Sequence, residues 1–286
     1  MRKAIAAATL VFAVAAIAAP ALSQTPSCEA LAGPGRTLAG KILDTEHPYD
    51  CCDDTISRCL AARPTCALAV RLANDVCRRV AAGQDEARIR RALSRRARSM
   101  VGGAPKATVD LAGASIVGDE EAPVTVVVYA CARCPYCSRL VPALHAELRG
   151  RLKGLARLGF RTFPIRGHEG STEAGLAFVA AARMGRFWDF ALLAYRRFDE
   201  FSPGKQREWA TEAGLDPAAF ASLLEQPATR DELVASKKEG IVNGVEETPT
   251  LFLNGRRWAG DLSLPEVVDA IEEEAERVRG VRWARE

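Results

Sequence analysis

A run of apolar and β-branched residues, Val124-Thr125-Val126-Val127-Val128-Tyr129, leads into the heptapeptide CARCPYC, Cys131 to Cys137. The run has the composition of a buried strand, and Pro135 suits the first position of a helix. A second run, Ala156 to Phe163, ends at Pro164, so strand, helix and strand follow in the order that gives parallel pairing across a helical crossover. This unit restricts the chain to an α/β class and puts cysteines where the strand meets the helix. Cysteines three residues apart at such a junction form a redox or a metal-binding device.

The chain has 286 residues, 48% hydrophobic and 26% charged, enough for one sizeable core and a smaller module. Met1 to Ser23 opens with Arg2 and Lys3, runs uncharged from Ala4 to Ala19 and closes on Ala21-Leu22-Ser23. This is the pattern of an export signal cleaved near Ser23; an uncleaved anchor is the alternative, disfavoured by Pro20 and the alanine content. Without Arg2 and Lys3 the formal charge falls from +3 to +1, which gives no electrostatic case for nucleic acid as a partner. Nine cysteines in an exported chain imply an oxidising compartment, and an odd number leaves at least one thiol unpaired in a monomer.

Residues 24–50 are rich in Pro and Gly and read as mostly irregular, with a short helix around Arg36 to Leu43. From 51 to 100 the pattern turns helical. Leu68, Leu72, Val76 and Val80 recur every four residues, and Ile89, Leu93, Ala97 and Met100 repeat the theme after Asp85 as N-cap. Six arginines crowd the last of these helices and read as a solvated face, the alternative being a site for an acidic partner. Residues 24–100 are thus expected to form a small all-α module, with 101–106 as linker and 107–280 as a second, α/β domain.

The module's cysteines are Cys28, Cys51, Cys52, Cys59, Cys66 and Cys77, expected as structural disulfides because so short a segment builds only a small core. Arg63-Pro64-Thr65 breaks the helix, which suggests an antiparallel hairpin with nested staples. In that arrangement Cys59 joins Cys66 near the turn, Cys77 joins Cys51 or Cys52 at the open end, and Cys28 takes the remaining thiol.

In the second domain, Ala107 to Leu111 reads as a short edge strand, followed by strand 124–130, a helix from Pro135 to Leu148 kinked at Pro142, and strand 156–163. Residues 172–243 are helical throughout, with Ser202-Pro203 and Asp216-Pro217 as caps and Thr229 with Glu232 as a capping box. The aromatics from Phe178 to Phe190 read as core. Strands return at Thr250 to Leu253 and Arg256 to Ala259 around an Asn254-Gly255 turn, and Ser263 with Glu266 announces a final helix, 264–279.

Cys134 ends the turn and Cys137 lies one helical turn on, so both sulfurs meet at a helix N-terminus, where free backbone N–H groups and the dipole favour a thiolate. Cys134, the more exposed of the two, is expected to attack and Cys137 to resolve, with Arg133 adding positive potential. Metal is the competing reading of the three cysteines, but no fourth ligand follows at iron–sulfur spacing and no second pair completes a zinc site. Neither a metal nor a cofactor is therefore expected beyond the Cys134–Cys137 disulfide. Cys131 reads as a small buried residue, with a third redox thiol or an interdomain disulfide as alternatives.

Residues 107–279 resemble the DsbA-like branch of the thioredoxin superfamily. The resemblance rests on Cys134-Pro135-Tyr136-Cys137, Pro142, Phe163-Pro164 with His168, Gly185-Arg186-Phe187-Trp188, and Gly244 to Thr250. It implies a thioredoxin fold with an inserted helical subdomain at about 172–243. It also implies a cis Thr248-Pro249 bond facing the cysteines, with Thr248, Pro249, Pro135 and Tyr136 at the substrate. The chain departs from the family at Val128, where many relatives carry a buried acid, and at Tyr136 in place of the histidine of the strongest oxidants. Both departures imply a less oxidising couple. Cys52 to Met100 is similar, more weakly, to the CcmH-type thiol-reductase module of cytochrome c maturation, although adjacent Cys51-Cys52 does not reproduce that family's C-x-x-C.

These readings converge on an exported, periplasmic-type thiol–disulfide oxidoreductase that exchanges disulfides with the cysteines of other exported polypeptides. Oxidation is the leading direction, with a membrane or soluble redox partner for recycling. A reductase or isomerase, with a possible link to cytochrome c maturation, and a non-catalytic metal or binding module are the alternatives.

Overall fold

The computed structural model describes residues 25–103 and 105–280; the export signal expected over 1–23 lies outside them. The amino-terminal part is helical: α1 (Pro26–Glu29), α2 (Gly33–Leu43), α3 (Ile56–Ala61), α4 (Ala67–Ala81) and α5 (Glu86–Val101). Its core joins Ile42, Ile56, Leu72, Val76 and Ile89, each at most 2% exposed, to the cysteines. The 24–50 segment is more helical than its Pro and Gly content suggests. Gly33 takes φ +50° to start α2, and Pro34 occupies a position in the first helical turn, where its missing N–H costs nothing. Asp85 caps α5 by accepting the Arg88 amide at 2.7 Å.

The disulfides are Cys28–Cys77, Cys51–Cys66 and Cys52–Cys59, with Cα separations of 4.9, 6.0 and 6.1 Å. All six module cysteines are used, but the nested pairing is wrong. Cys66 is not opposite Cys59: it caps α4, accepting the Ala69 amide, and Cys59 faces back along α3 to Cys52. The 51–52 segment lies against the turn rather than the open end of the hairpin. That leaves Cys77 to the amino-terminal α1, whose Cys28 is the third pair's other half.

Among the described residues five strands follow: β1 (Ser115–Gly118), β2 (Val124–Ala130), β3 (Ala156–Thr162), β4 (Thr250–Leu253) and β5 (Arg256–Arg257), in the order β1-β3-β2-β4-β5. β2 is central, parallel to β3 and antiparallel to β4. The parallel pair is joined through α6 (Pro135–Glu147), which carries Pro142 inside it. Asn254 and Gly255 both take positive φ, 48° and 81°, and close the β4–β5 hairpin.

Residues 107–111 are not a strand. They meet the sheet through a single backbone bond, Ala107 N to Gly255 O at 2.8 Å, and lay Ala107, Val109 and Leu111 over Val127, Tyr129 and Phe252. Their alternation reflects cover for one sheet face, and the edge strand falls at β1 instead.

Between β3 and β4 come α7 (Ser171–Arg183), α8 (Phe187–Arg196), a 3₁₀ turn (Phe198–Glu200), α9 (Pro203–Glu212), α10 (Pro217–Glu225) and α11 (Pro227–Val242). Phe178, Phe190, Trp209 and Phe220 are at most 1% exposed and fill the seam of this insertion. Ser202 and Asp216 cap α9 and α10 as their spacing predicts. Thr229 and Glu232 do not cap α11, which starts two residues earlier at Pro227; Thr229 is buried and accepts from Arg183. Gly240 of α11 permits close packing, because a Cβ there would lie 2.6 Å from the Phe163 ring.

The last helix, α12 (Leu264–Val278), packs Val267, Val268 and Ile271 into the domain core. Its other face is acidic and receives the amino-terminal module. Arg79 pairs with Glu266 and with Asp75 at 3.0 Å, and Arg96, fully buried, pairs with Glu273 at 2.7 Å beside the Tyr49 hydroxyl. Glu266 is therefore an interface charge and not half of a capping box with Ser263, which makes no side-chain cap bond. Burial, with Asp75 nearby, raises its pKa to about 7 against the pull of Arg79 and Arg96. The arginine-rich α5 divides accordingly: Arg88, Arg91, Arg95 and Arg98 are solvated, while Arg96 turns inward to an acidic partner within the same chain.

Arg96→Ala leaves Glu273 buried without its cation, so it should lower stability by about 3–5 kcal/mol in urea denaturation. Arg95→Ala on the solvated face should stay within about 0.5 kcal/mol of the parent.

Candidate active site

The end of β2 delivers Cys131, a turn of two residues follows, and Cys134 stands as N-cap of α6 with Pro135 at its first position. The Cys134 amide donates to the Cys131 carbonyl at 3.1 Å, closing the turn. From the other side of β2, the loop before β4 brings in Thr248 and Pro249 across a cis peptide bond. The Cys134 thiol donates to the Thr248 carbonyl at 3.2 Å, although 114 residues separate them in sequence.

Of the residues singled out for substrate contact, Pro135 and Tyr136 are exposed, Tyr136 at 65%, Thr248 is half-buried and Pro249 is buried beside them. A shallow apolar trough runs between Tyr136, Arg139, Leu140, Ala143, Pro249 and Leu262. Cys134 is not the exposed thiol that its place at the helix end suggests. It is 1% exposed, because the Thr248 loop lies across it, and Cys137 is fully buried.

The two sulfurs differ electrostatically. A hydrogen bond from the Cys137 thiol is the largest influence on Cys134. Aided by the Cys137 and Tyr136 amides and by Thr248, it outweighs burial and lowers the Cys134 pKa to about 5. The Thr248 hydroxyl is buried without a partner while Cys134 is a thiol, so it is available to the thiolate. Burial first, and the neighbouring Cys134 second, push the Cys137 thiol well above its ordinary value. One sulfur is thus an anion at neutral pH and the other keeps its proton, a division set by helix-terminal donors and depth.

Arg133 does not face the thiolate. Its guanidinium lies between the rings of Phe198 and Phe201, 4.4 Å from each, and donates to the Phe198 carbonyl, so it ties the turn to the helical insertion. Cys131 is fully buried, with its thiol 3.4 Å from His168 Nδ1 and its carbonyl accepting from the Tyr195 hydroxyl at 3.2 Å. His168 and Cys131 both stood out in the sequence, but nothing joined them. Tyr195 carried no signal, since an aromatic on an apolar helix reads as core. Val128 is fully buried in β2. Among the described residues no group of three or more His, Cys, Asp or Glu side chains is arranged to hold a metal ion.

The thioredoxin family profile matches residues 111–273. Among curated proteins, the Na(+)/H(+) antiporter NhaA 3 of Salinispora tropica is 31% identical over 189 residues, covering 64% of this chain and 28% of that protein. NhaA 1 of Mycolicibacterium gilvum is 28% identical over 158 residues, covering 54% and 25%. The chain therefore spans about a quarter of the length of these relatives, and none of its described helices is long and apolar enough to cross a membrane.

Among solved structures, oxidised BdbD from Bacillus subtilis superposes with a TM-score of 0.54 at 21% identity, covering 60% of this chain and 98% of that one. The α-DsbA1 protein of Wolbachia pipientis gives 0.53 at 18%, covering 60% and 96%. At these identities the likeness is one of fold.

Thiolate absorbance of the reduced protein should persist on acidification until about pH 5 and be absent in Cys134→Ser. Because an unperturbed thiol ionises near pH 8.5, the Cys134 thiolate's contribution to stability of the reduced form is complete above about 8.5. It is lost as pH falls through about 5, and the urea midpoint of the reduced protein should drop across that window.

Proposed function

As the chain belongs to the thioredoxin family, we propose that it is a thiol–disulfide oxidoreductase of the DsbA-like form that oxidises cysteine pairs in other exported polypeptides. The observation that carries this reading is the asymmetry of the Cys134–Cys137 pair. A substrate thiolate attacks Cys134 Sγ, the Cys134–Cys137 bond breaks, and Cys137 leaves and takes up a proton, as its raised pKa favours. The second substrate thiolate then attacks the substrate sulfur of the mixed disulfide. Cys134 departs as a thiolate that is stable at neutral pH, and the substrate has lost two electrons. A leaving group with pKa about 5 speeds this release and stabilises the reduced enzyme, which favours oxidation of the substrate.

The trough beside Tyr136 and Pro249 would seat an apolar side chain of the substrate, and the Thr248 carbonyl, which accepts from Cys134 only in its thiol form, would be free in the disulfide to meet the incoming strand. Three disulfides in the amino-terminal module, with the export signal read in the sequence, favour an oxidising compartment outside the cytoplasm. A separate redox partner is needed to restore the Cys134–Cys137 bond. Reductase or isomerase action is the second reading, favoured by Val128 standing where many relatives carry a buried acid and Tyr136 where the strongest oxidants carry a histidine.

The pKa of about 5 lies between that of thioredoxin, about 7, and that of DsbA, about 3.5. The potential of the couple is therefore expected between about −270 and about −120 mV, by equilibration with glutathione buffers. A value at or below about −270 mV would leave the reductase reading in place of the oxidant. Cys134→Ser should abolish oxidation of a reduced test protein; retained activity would remove Cys134 from its role.

A further inference from the structure

Cys131 takes no part in the exchange just described, yet its surroundings suit a thiol that reacts. Its backbone closes the 131–134 turn with Cys134, and such a turn holds its first and last Cα atoms within about 7 Å, which overlaps the range of about 4.4–6.8 Å spanned by disulfides. The Cys131 sulfur folds back over that turn, accepting the Arg133 amide at 3.4 Å, one residue short of Cys134. His168 Nδ1 lies 3.4 Å from the same sulfur, and Tyr195 holds the Cys131 carbonyl. The heptapeptide thus contains two overlapping C-x-x-C pairs, CARC and CPYC, with Cys134 common to both.

We propose that Cys131 is a second resolving thiol, which closes a Cys131–Cys134 disulfide in competition with Cys137. The proposal rests on the reading of Cys134 as the exchanging thiol. Burial keeps Cys131 protonated, so the step needs a base. His168, as the Nε2–H tautomer, takes the Cys131 proton on Nδ1. Cys131 Sγ attacks Cys134 Sγ of a mixed disulfide, the bond to the substrate sulfur breaks, and the departing thiolate recovers the proton from the imidazolium. Acting on the resting Cys134–Cys137 disulfide, the same attack moves the bond from one pair to the other and frees Cys137 with no net oxidation. Mixed disulfides that Cys137 resolves slowly are thereby released from the other side of the turn.

The test uses the full chain carrying Cys137→Ser, with Cys134 reduced, exposed to glutathione disulfide. The expected result is a transient glutathione adduct on Cys134 that collapses to a species two hydrogens lighter than the dithiol, with peptide mapping joining Cys131 to Cys134. Adding Cys131→Ser should make the adduct persist, and adding His168→Gln should slow its collapse at least about tenfold. An adduct that persists in the single Cys137→Ser variant overturns the proposal, whereas the absence of any adduct in either serine variant removes the exchange reading of Cys134 itself. Should Cys137→Ser fail to fold, differential alkylation of the oxidised parent decides the matter. A fraction with Cys137 alkylated and Cys131 joined to Cys134 is expected, and bonding confined to Cys134–Cys137 overturns the proposal.

Discussion

The hydrogen bond from Cys134 to the Thr248 carbonyl depends on the placement of one strand. β2 lies between a parallel and an antiparallel neighbour, so its carboxyl end faces both the start of α6 and the loop that enters β4. The helix supplies donors to the sulfur, and the loop supplies an acceptor and a cover. Because the cover buries Cys134, the sulfur whose pKa is lowered is also shielded from solvent.

The helical insertion is tied to the same point from its own side. Arg133 is held between Phe198 and Phe201, and Tyr195 binds the Cys131 carbonyl, so the conformation of the turn is fixed by residues more than sixty positions away. The amino-terminal module instead reaches the domain on α12, a helix that packs on the core through Val267, Val268 and Ile271 and offers carboxylates on its other face.

Much of the central unit was legible in the sequence. The β-branched run at 124–129, the proline after Cys134 and the Asn254-Gly255 turn each act through local backbone preference, so they retain their meaning in the folded chain. Local patterns failed where long-range charge or packing took over. Glu266 has the spacing of a capping box but is drawn into the ion pair with Arg79; Thr229 is enclosed beside Arg183; the 107–111 segment alternates because it covers a sheet face. The disulfide pairing depended on where residues 51 and 52 lie relative to the hairpin, which helix periodicity does not encode. At the site, the cysteines were visible from spacing and Thr248-Pro249 from resemblance, but the burial of Cys134 and the approach of His168 to Cys131 arise from loops that meet only in three dimensions.

The seam between module and domain also bears on the medium in which the protein works. Mobile ions weaken attraction between exposed charges over about 8–10 Å at moderate salt, but they reach buried pairs poorly. Arg79 with Glu266 and Arg96 with Glu273 are enclosed, whereas Lys41 with Glu86 and Lys205 with Glu208 stand in solvent. These two attachments between the parts of the chain are therefore less sensitive to salt than the exposed pairs. Rising ionic strength should therefore weaken the pairs that stand in solvent before it reaches Arg79 with Glu266 or Arg96 with Glu273.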